Sequence, residues 1–328
     1  MKKKIKRILI VILVIISILA IWSFSSSYPV SIIVRKVFET SPAVAPSNYD
    51  EILEQVNIKR DVRYDSSSTF DLISPKGNTE KLPVIIWVHG GGFVGGDKTD
   101  IEEYAVQIAG QGYIVANINY ELAPESKYPT PILQLNKLYD FLEDNAEEYS
   151  LDMTNIFFAG DSAGAHIVSQ FAMIQTDKNY SDLVGIEAVV NVDDIAGVLL
   201  FCGPYDIEQF ISGTENNAIF RFIFNKLVWG YTDIKDINNN YLMDEMSIIN
   251  HVSDKFPTTF ITDGNTFSFT QQGINLSNKL KEVGVDTTAV FYDTDYKLIH
   301  EYQFIMNNEY SIKTLEKVIE FLQTNVKR

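Results

Sequence analysis

The sequence is poor in sulfur, in histidine and in positive charge. Cys202 is the single cysteine among 328 residues. One thiol excludes an internal disulfide and a cysteine-based metal site. It ends the apolar run Val198 to Cys202 and is expected to be a small buried hydrophobe. Four histidines are present, so any chemistry that needs an imidazole has four candidates. Lysine and arginine total 27 against 43 acidic residues, for a net charge of −16. Lys2, Lys3, Lys4, Lys6 and Arg7 crowd the first seven positions, which leaves 22 basic residues and a charge of −21 for the remainder. A body that acidic repels nucleic acid and anionic lipid surfaces, and nucleic-acid binding is excluded on that ground. Internal repeats and low-complexity tracts are also missing. What is plentiful is apolar surface: 46% of residues are hydrophobic and 12% aromatic, enough for one large domain or two small ones.

Ile8 to Phe24 is apolar or small throughout and uncharged. As a helix it would span roughly 25 Å, near the lower limit for crossing a bilayer. A cleavable signal peptide is the rival. Ser25-Ser26-Ser27 offers a cleavage site, but no Ala-x-Ala pattern follows. No cysteine follows the run, so a bacterial lipoprotein anchor is excluded. An uncleaved anchor is favoured. In either case the basic end stays cytoplasmic and the body is exported.

Ser41 to Asn48, with two prolines, reads as a linker, and Ile52 to Ile58 as a short helix. Asp61 to Tyr64 and Phe70 to Ile73 read as edge strands. Leu82 to Val88 is a continuous apolar run, as in a strand covered on both faces. Ile101 to Gln111 reads as helix, Tyr113 to Ile118 as strand, and Pro131 to Tyr149 as a longer helix. Further strands are expected at Asn155 to Ala159, Val198 to Cys202, Thr258 to Thr262 and Thr287 to Tyr292. Helices are expected at Asn275 to Val283 and Ile312 to Gln323. Short apolar strands alternating with helices predict an α/β fold, a mostly parallel sheet with helices on both faces.

Gly160-Asp161-Ser162-Ala163-Gly164 sits between the strand Asn155 to Ala159 and a helix, Ala165 to Met173. Strand, sharp turn and helix place the Ser162 hydroxyl at an apex above the sheet edge. The two glycines suit strained angles and close strand–helix packing, which a Cβ would obstruct. The helix N-terminus adds free N–H groups and positive potential. Upstream, His89-Gly90-Gly91-Gly92 follows the strand Leu82 to Val88. Its glycines leave N–H groups able to meet a developing oxyanion, and Gly91 and Gly92, with Ala163, are the expected donors. His89 is expected to brace that loop. Ile207 to Ser253 interrupts the alternation and is too long for a simple crossover. It holds Phe210, Phe220, Phe222, Phe224, Trp229 and Tyr231. Those aromatics read either as core of an extra helix or as a cap that lines an apolar substrate pocket.

With these motifs the chain resembles the hormone-sensitive-lipase-like branch of the α/β-hydrolases, from about Asp61 to Phe321. Tyr120-Glu121-Leu122-Ala123-Pro124-Glu125 adds to the likeness, with Glu121 where that family has arginine. The resemblance implies an α/β-hydrolase fold with a small helical cap. It implies carboxylic-ester hydrolysis with no metal or organic cofactor, and Ser162 as nucleophile. The chain then divides into a basic end and anchor (1–27), a linker and N-terminal helix (28–58), and a hydrolase domain (59–328) with its cap insertion at about 207–253.

The family's order of serine, acid and histidine calls for a base near the C-terminus. His89 belongs to the glycine loop, His166 to the helix behind the serine, and His251 precedes the strand Thr258 to Thr262. His300, on the loop after Thr287 to Tyr292, matches the family's catalytic histidine. The family usually closes the preceding strand with Gly-x-x-Asp, but Phe267 stands three residues past Gly264. Asp263 is the one carboxylate at that strand end and is chosen to orient His300. Its competing role is turn formation before Gly264. Asp293, Asp295 and Asp206 are rivals. The expected activity is that of a membrane-anchored, extracytoplasmic serine carboxylesterase acting on a small-molecule ester. An amidase or peptidase with the same triad, and a non-catalytic binding domain on the same fold, are the alternatives.

Overall fold

The computed structural model describes residues 2–38, 43–212, 218–236 and 240–327. Eight strands make one sheet in the order β1-β2-β4-β3-β5-β6-β7-β8. They are β1 Val56–Arg63, β2 Thr69–Pro75, β3 Leu82–Val88, β4 Ile114–Ile118, β5 Leu151–Asp161, β6 Ile195–Phe201, β7 Thr259–Thr262 and β8 Thr287–Val290. β1 with β2 and β2 with β4 are antiparallel, and every other neighbouring pair is parallel. The α/β-hydrolase fold implied by the motifs is the fold observed.

Continuous apolar strands follow from a sheet covered on both faces. In β3, Val84, Ile86 and Val88 join one buried cluster, and Ile85 and Trp87 join the other. Trp87 stacks on Phe201 of β6 at 5.1 Å between ring centroids. Rings of that size dominate such a core, at about 1.5–3 kcal/mol each for full burial. The sheet's C-terminal edge is thereby held rigid, and the candidate site sits on that edge.

Three local expectations are corrected. Ile52 to Ile58 is not one helix. A helix covers Tyr49–Leu53, and β1 begins at Val56, before the expected domain start at residue 59. Val56 is buried and pairs with Pro75, so cross-strand pairing overrides the local pattern. The long helix expected to reach Tyr149 ends at Asp144, and a short one follows at Ala146–Tyr149. Asn145 lies between them and donates its side-chain amide to Phe141 O at 2.7 Å, the local competition that asparagine brings to a helix. In the expected linker, residues 41 and 42 lie outside the described residues. Beyond them Val44 is docked: its N–H donates to Phe304 O at 2.9 Å, and Met306 N–H donates to Val44 O at 2.8 Å.

Helices Ile207–Ser212, Ala218–Thr232 and Tyr241–Met246 fill the interval between β6 and β7. Parts of the expected cap, 213–217 and 237–239, lie outside the described residues. A helix absent from the sequence reading, Tyr28–Phe38, packs on Ala218–Thr232. Gly230 permits the approach, since a Cβ there would lie 3.2 Å from Ser31 Oγ. Before it, Lys2–Ser25 is a helix with none of its described side chains buried. Among the described residues it is the one helix long and apolar enough to cross a membrane.

Candidate active site

β5 ends at Asp161, and helix Ala163–Thr176 starts two residues later. Ser162 fills the turn with φ 51° and ψ −118°, outside the ordinary regions for a non-glycine residue. A Cβ on Gly160 would lie 2.5 Å from Gly164 C, and one on Gly164 would lie 2.0 Å from Val88 O. Both glycines are therefore required by packing. The turn points Ser162 Oγ at His300, whose Nε2 lies 2.9 Å away. These two residues are 138 positions apart and meet because β5 and the loop after β8 end at the same sheet edge.

Asp263 lies at the end of β7, as expected, but it does not touch His300 directly. Ser268 stands between them. Its Oγ is 2.8 Å from His300 Nδ1 and donates to Asp263 Oδ1. The other oxygen, Oδ2, has no hydrogen-bond partner among the described residues. Burial pushes the Asp263 carboxyl up to about 7, with the hydrogen bond from Ser268 acting against it. Desolvation pushes His300 down to about 4, which keeps the imidazole neutral and able to accept a proton at pH 7. The rival acids lie elsewhere. Asp293 and Asp295 are exposed, and Asp206 accepts a hydrogen bond from Gln209 N–H.

The glycine loop borders the same space. Gly91 and Gly92 have φ of 104° and 59°, conformations that favour glycine. Gly92 and Ala163 line a cavity of about 370 Å³ with Ser162 and His300, while Gly91 lines a smaller cavity behind. His89 is buried, with Nδ1 2.8 Å from Gly90 O and its ring stacked on Tyr120 at 4.5 Å. Burial lowers its pKa to about 4, so it stands as a neutral brace inside the loop. His166 lies behind the serine turn, its Nδ1 2.9 Å from Pro204 O, and His251 contacts Asp244 O.

A second acid pair, unforeseen from sequence, backs this site. Asp161 accepts from Trp87 Nε1 at 2.8 Å and from Gly90 N–H at 2.7 Å. Glu301, at φ 59°, faces Asp161, and its Oε1 lies 3.7 Å from His300 Nε2. Burial raises both carboxyls. Glu301 rises further because it faces Asp161, whose charge the two N–H donors support.

Cys202 is buried, as expected. Its sulfur, an Asp263 oxygen and a His300 nitrogen lie within 4.8 Å of one another. That set offers a metal three donors, yet Ser268 already engages two of them, and burial raises the thiol well above its ordinary range. The groups present fit proton relay better than metal ligation.

The 370 Å³ cavity is walled by the cap residues Phe210, Phe220, Phe224 and Leu227, and by Phe267 and Phe269. Phe38, from the helix the sequence reading missed, completes the wall. The site can thus hold an acyl group against apolar surface, with a hydroxyl, an imidazole and backbone N–H groups at one end.

The chain is similar to known hydrolases and esterases. The alpha/beta hydrolase R526 of Acanthamoeba polyphaga mimivirus is 26% identical over 279 residues, 78% of this chain and 74% of that protein. An acetyl esterase of Salmonella schwarzengrund is 29% identical over 146 residues, 44% of this chain and 41% of the esterase, so the match spans under half of that relative. Among solved structures, esterase B of Lactobacillus rhamnosis superposes with a TM-score of 0.72 at 21% identity, covering 92% of this chain and 94% of that one. The BD-FAE family model matches residues 70–282. The chain belongs to the BD-FAE family.

Proposed function

We propose that the chain is a serine carboxylic-ester hydrolase held to the membrane by Lys3–Ser25, with its body on the extracytoplasmic side. The observation that carries the chemistry is the 2.9 Å approach of His300 Nε2 to Ser162 Oγ at the floor of an apolar cavity. Ser162 Oγ attacks the ester carbonyl carbon while His300 takes the hydroxyl proton. The carbonyl oxygen gains charge and meets the N–H groups of Gly92 and Ala163, with Gly91 behind them. The C–O bond to the alcohol breaks, and His300 returns the proton to the departing alkoxide. Water then attacks the acyl-serine. His300 takes its proton and passes it to Ser162, and the carboxylic acid leaves. Asp263 acts on His300 through Ser268, and His89 keeps the glycine loop in shape. The substrate is a small-molecule ester, and no step calls for a cofactor.

The acetyl esterase among the relatives supports an ester over an amide. The test is labelling with a fluorophosphonate probe, together with turnover of nitrophenyl esters and anilides. Ser162 should label, esters should turn over, and Ser162→Ala should do neither. Turnover retained in that variant would overturn the mechanism. Faster turnover of anilides would replace the esterase with an amidase. Resistance to alkaline carbonate extraction tests the anchor separately.

A further inference from the structure

Where the N-terminal helix ends, the body grips it. Phe24 meets Phe222 of the cap helix edge-on, at 5.4 Å between centroids. Lys226 Nζ donates to Phe24 O and Ser26 O, each at 3.2 Å, and so caps the last turn of that helix. Beside this grip lies an open hollow of about 410 Å³. Its lining includes Phe24, Phe222 and Trp229 together with three cations, Arg221, Lys226 and Lys235. Among the described residues no carboxylate lines it. Asp233, which flanks it in sequence, is taken by Lys127 at 2.7 Å.

Such a concentration of positive charge is out of keeping with a body of charge −21. It also sits at the wrong end of the anchor. Lysine and arginine favour the cytoplasmic flank of a spanning helix, and this is the opposite flank. Two of the cations share one ring: Lys226 Nζ lies 4.2 Å and Lys235 Nζ 5.5 Å from the centroid of Trp229. Burial and the neighbouring Lys235 both lower the pKa of Lys226. An arrangement of like charges with no acid among its described lining residues is relieved by an anion from outside. A phosphate offers several acceptor oxygens to an arginine fork and a lysine. The aromatic wall suits the boundary between headgroup and acyl chain, where tryptophan is enriched.

We infer that this hollow binds the phosphate of an anionic phospholipid in the leaflet from which the anchor emerges. The inference rests on the anchored reading given above, since the anchor brings the hollow to headgroup depth. It also qualifies the repulsion that net charge predicts for anionic lipid: the body is acidic as a whole and basic at this one place. The same helix carries Phe220 and Phe224 into the catalytic cavity, within about one turn of Phe222. A bound headgroup would therefore fix the cap beside the cavity.

The experiment uses the full chain in vesicles of phosphatidylcholine alone, or of phosphatidylcholine with one third phosphatidylglycerol. A third sample adds millimolar inorganic phosphate to the first. Lysine acetylation by a neutral reagent is followed residue by residue in a mass spectrometer, with exposed Lys178 as reference. Lys235 should be modified several-fold more slowly with phosphatidylglycerol, and Arg221→Gln should remove most of that protection. Equal protection in Arg221→Gln would mean general surface attraction and would overturn the site. Protection by inorganic phosphate alone would overturn the lipid as its source. Flotation and nitrophenyl ester turnover are measured on the same samples. A chain that floats with both vesicle types, hydrolyses ester and shows no protection overturns the headgroup site and leaves the proposed function standing. A chain that floats with neither overturns the anchor and the headgroup site together.

Discussion

Ser268 Oγ stands between Asp263 and His300, 2.8 Å from the imidazole Nδ1 and in hydrogen-bond contact with the carboxylate. In the proposed mechanism the acid therefore acts through a hydroxyl. Ser268→Ala removes the one hydrogen bond to His300 Nδ1 among the described residues and should lower kcat by about 10–100-fold with KM little changed. Asp263→Asn should lower it by about 10²–10⁴-fold. The double variant should be no slower than Asp263→Asn, because both changes break one relay. Steady-state kinetics on a nitrophenyl ester decide this. Losses that multiply in the double variant would mean that the two residues serve His300 independently.

The relay has a pH signature. Asp263 is raised to about 7, so it is protonated below neutrality and charged above it. His300 is lowered to about 4, so it is already neutral, and competent as a base, across that interval. The imidazolium formed during the reaction is supported only when Asp263 is charged. kcat/KM should therefore fall as pH drops below about 7, ahead of any protonation of His300. In Asp263→Asn the surviving activity should lose that limb and keep one nearer pH 4. A wild-type limb near 4 that the substitution leaves in place would show that the acid does not govern the rate.

Glu301 and Asp161 make a prediction about stability. Both carboxyls are raised by burial, so the folded chain binds protons that the unfolded chain releases at lower pH. Stability then falls as pH rises from about 4 through neutrality. Glu301→Gln keeps an amide donor for Asp161 and removes one of the groups that must ionise. It should flatten that decline and raise stability at pH 8 by on the order of 1–2 kcal/mol. Urea unfolding at pH 5 and pH 8 measures it. A variant with the wild-type slope would show that Glu301 ionises as freely in the fold as in the unfolded chain.

The serine turn and the sheet were legible because each is local. Gly160 and Gly164 mark a strand–helix approach that no other residue allows, and apolar runs such as Leu82 to Val88 mark buried strands. His300 could be found because chain order limited four histidines to one. Ser268 and Glu301 could not. A serine six residues beyond the end of β7 carries no sign of its partner, since the contact arises only where two loops meet. Glu301 in a left-handed conformation looks, in sequence, like any exposed acid after a histidine. Phe38 was hidden for a different reason: the helix Tyr28–Phe38 directly follows the apolar span, and its role comes from packing on the cap. The irregular text after Gly264, where Phe267 replaces the family's aspartate, marks that segment as unusual without pointing to Ser268.

The cavity wall sets the last prediction. Phe224 stacks on Phe210 at 4.5 Å and meets Phe269 at a tilt at 6.1 Å, and all three rings border the space above Ser162. Phe224→Ala removes a half-buried ring and leaves a void open to the cavity, so longer acyl chains should be admitted. The cost to stability should be about 1–2 kcal/mol, below that of a fully buried phenylalanine, because solvent or substrate can fill the gap. Leu227→Trp does the opposite. Leu227 is buried and its methyl lies 3.2 Å from where a Cβ on Gly92 would stand, so an indole there must protrude into the cavity. Preference among nitrophenyl esters should move toward acetate in Leu227→Trp and toward longer chains in Phe224→Ala. Each shift should be read in kcat/KM ratios, where about 0.8 kcal/mol per methylene gives roughly four-fold per carbon. Unchanged ratios in both variants would place the acyl group outside this wall and would leave the aromatic residues of the cap with a packing role alone.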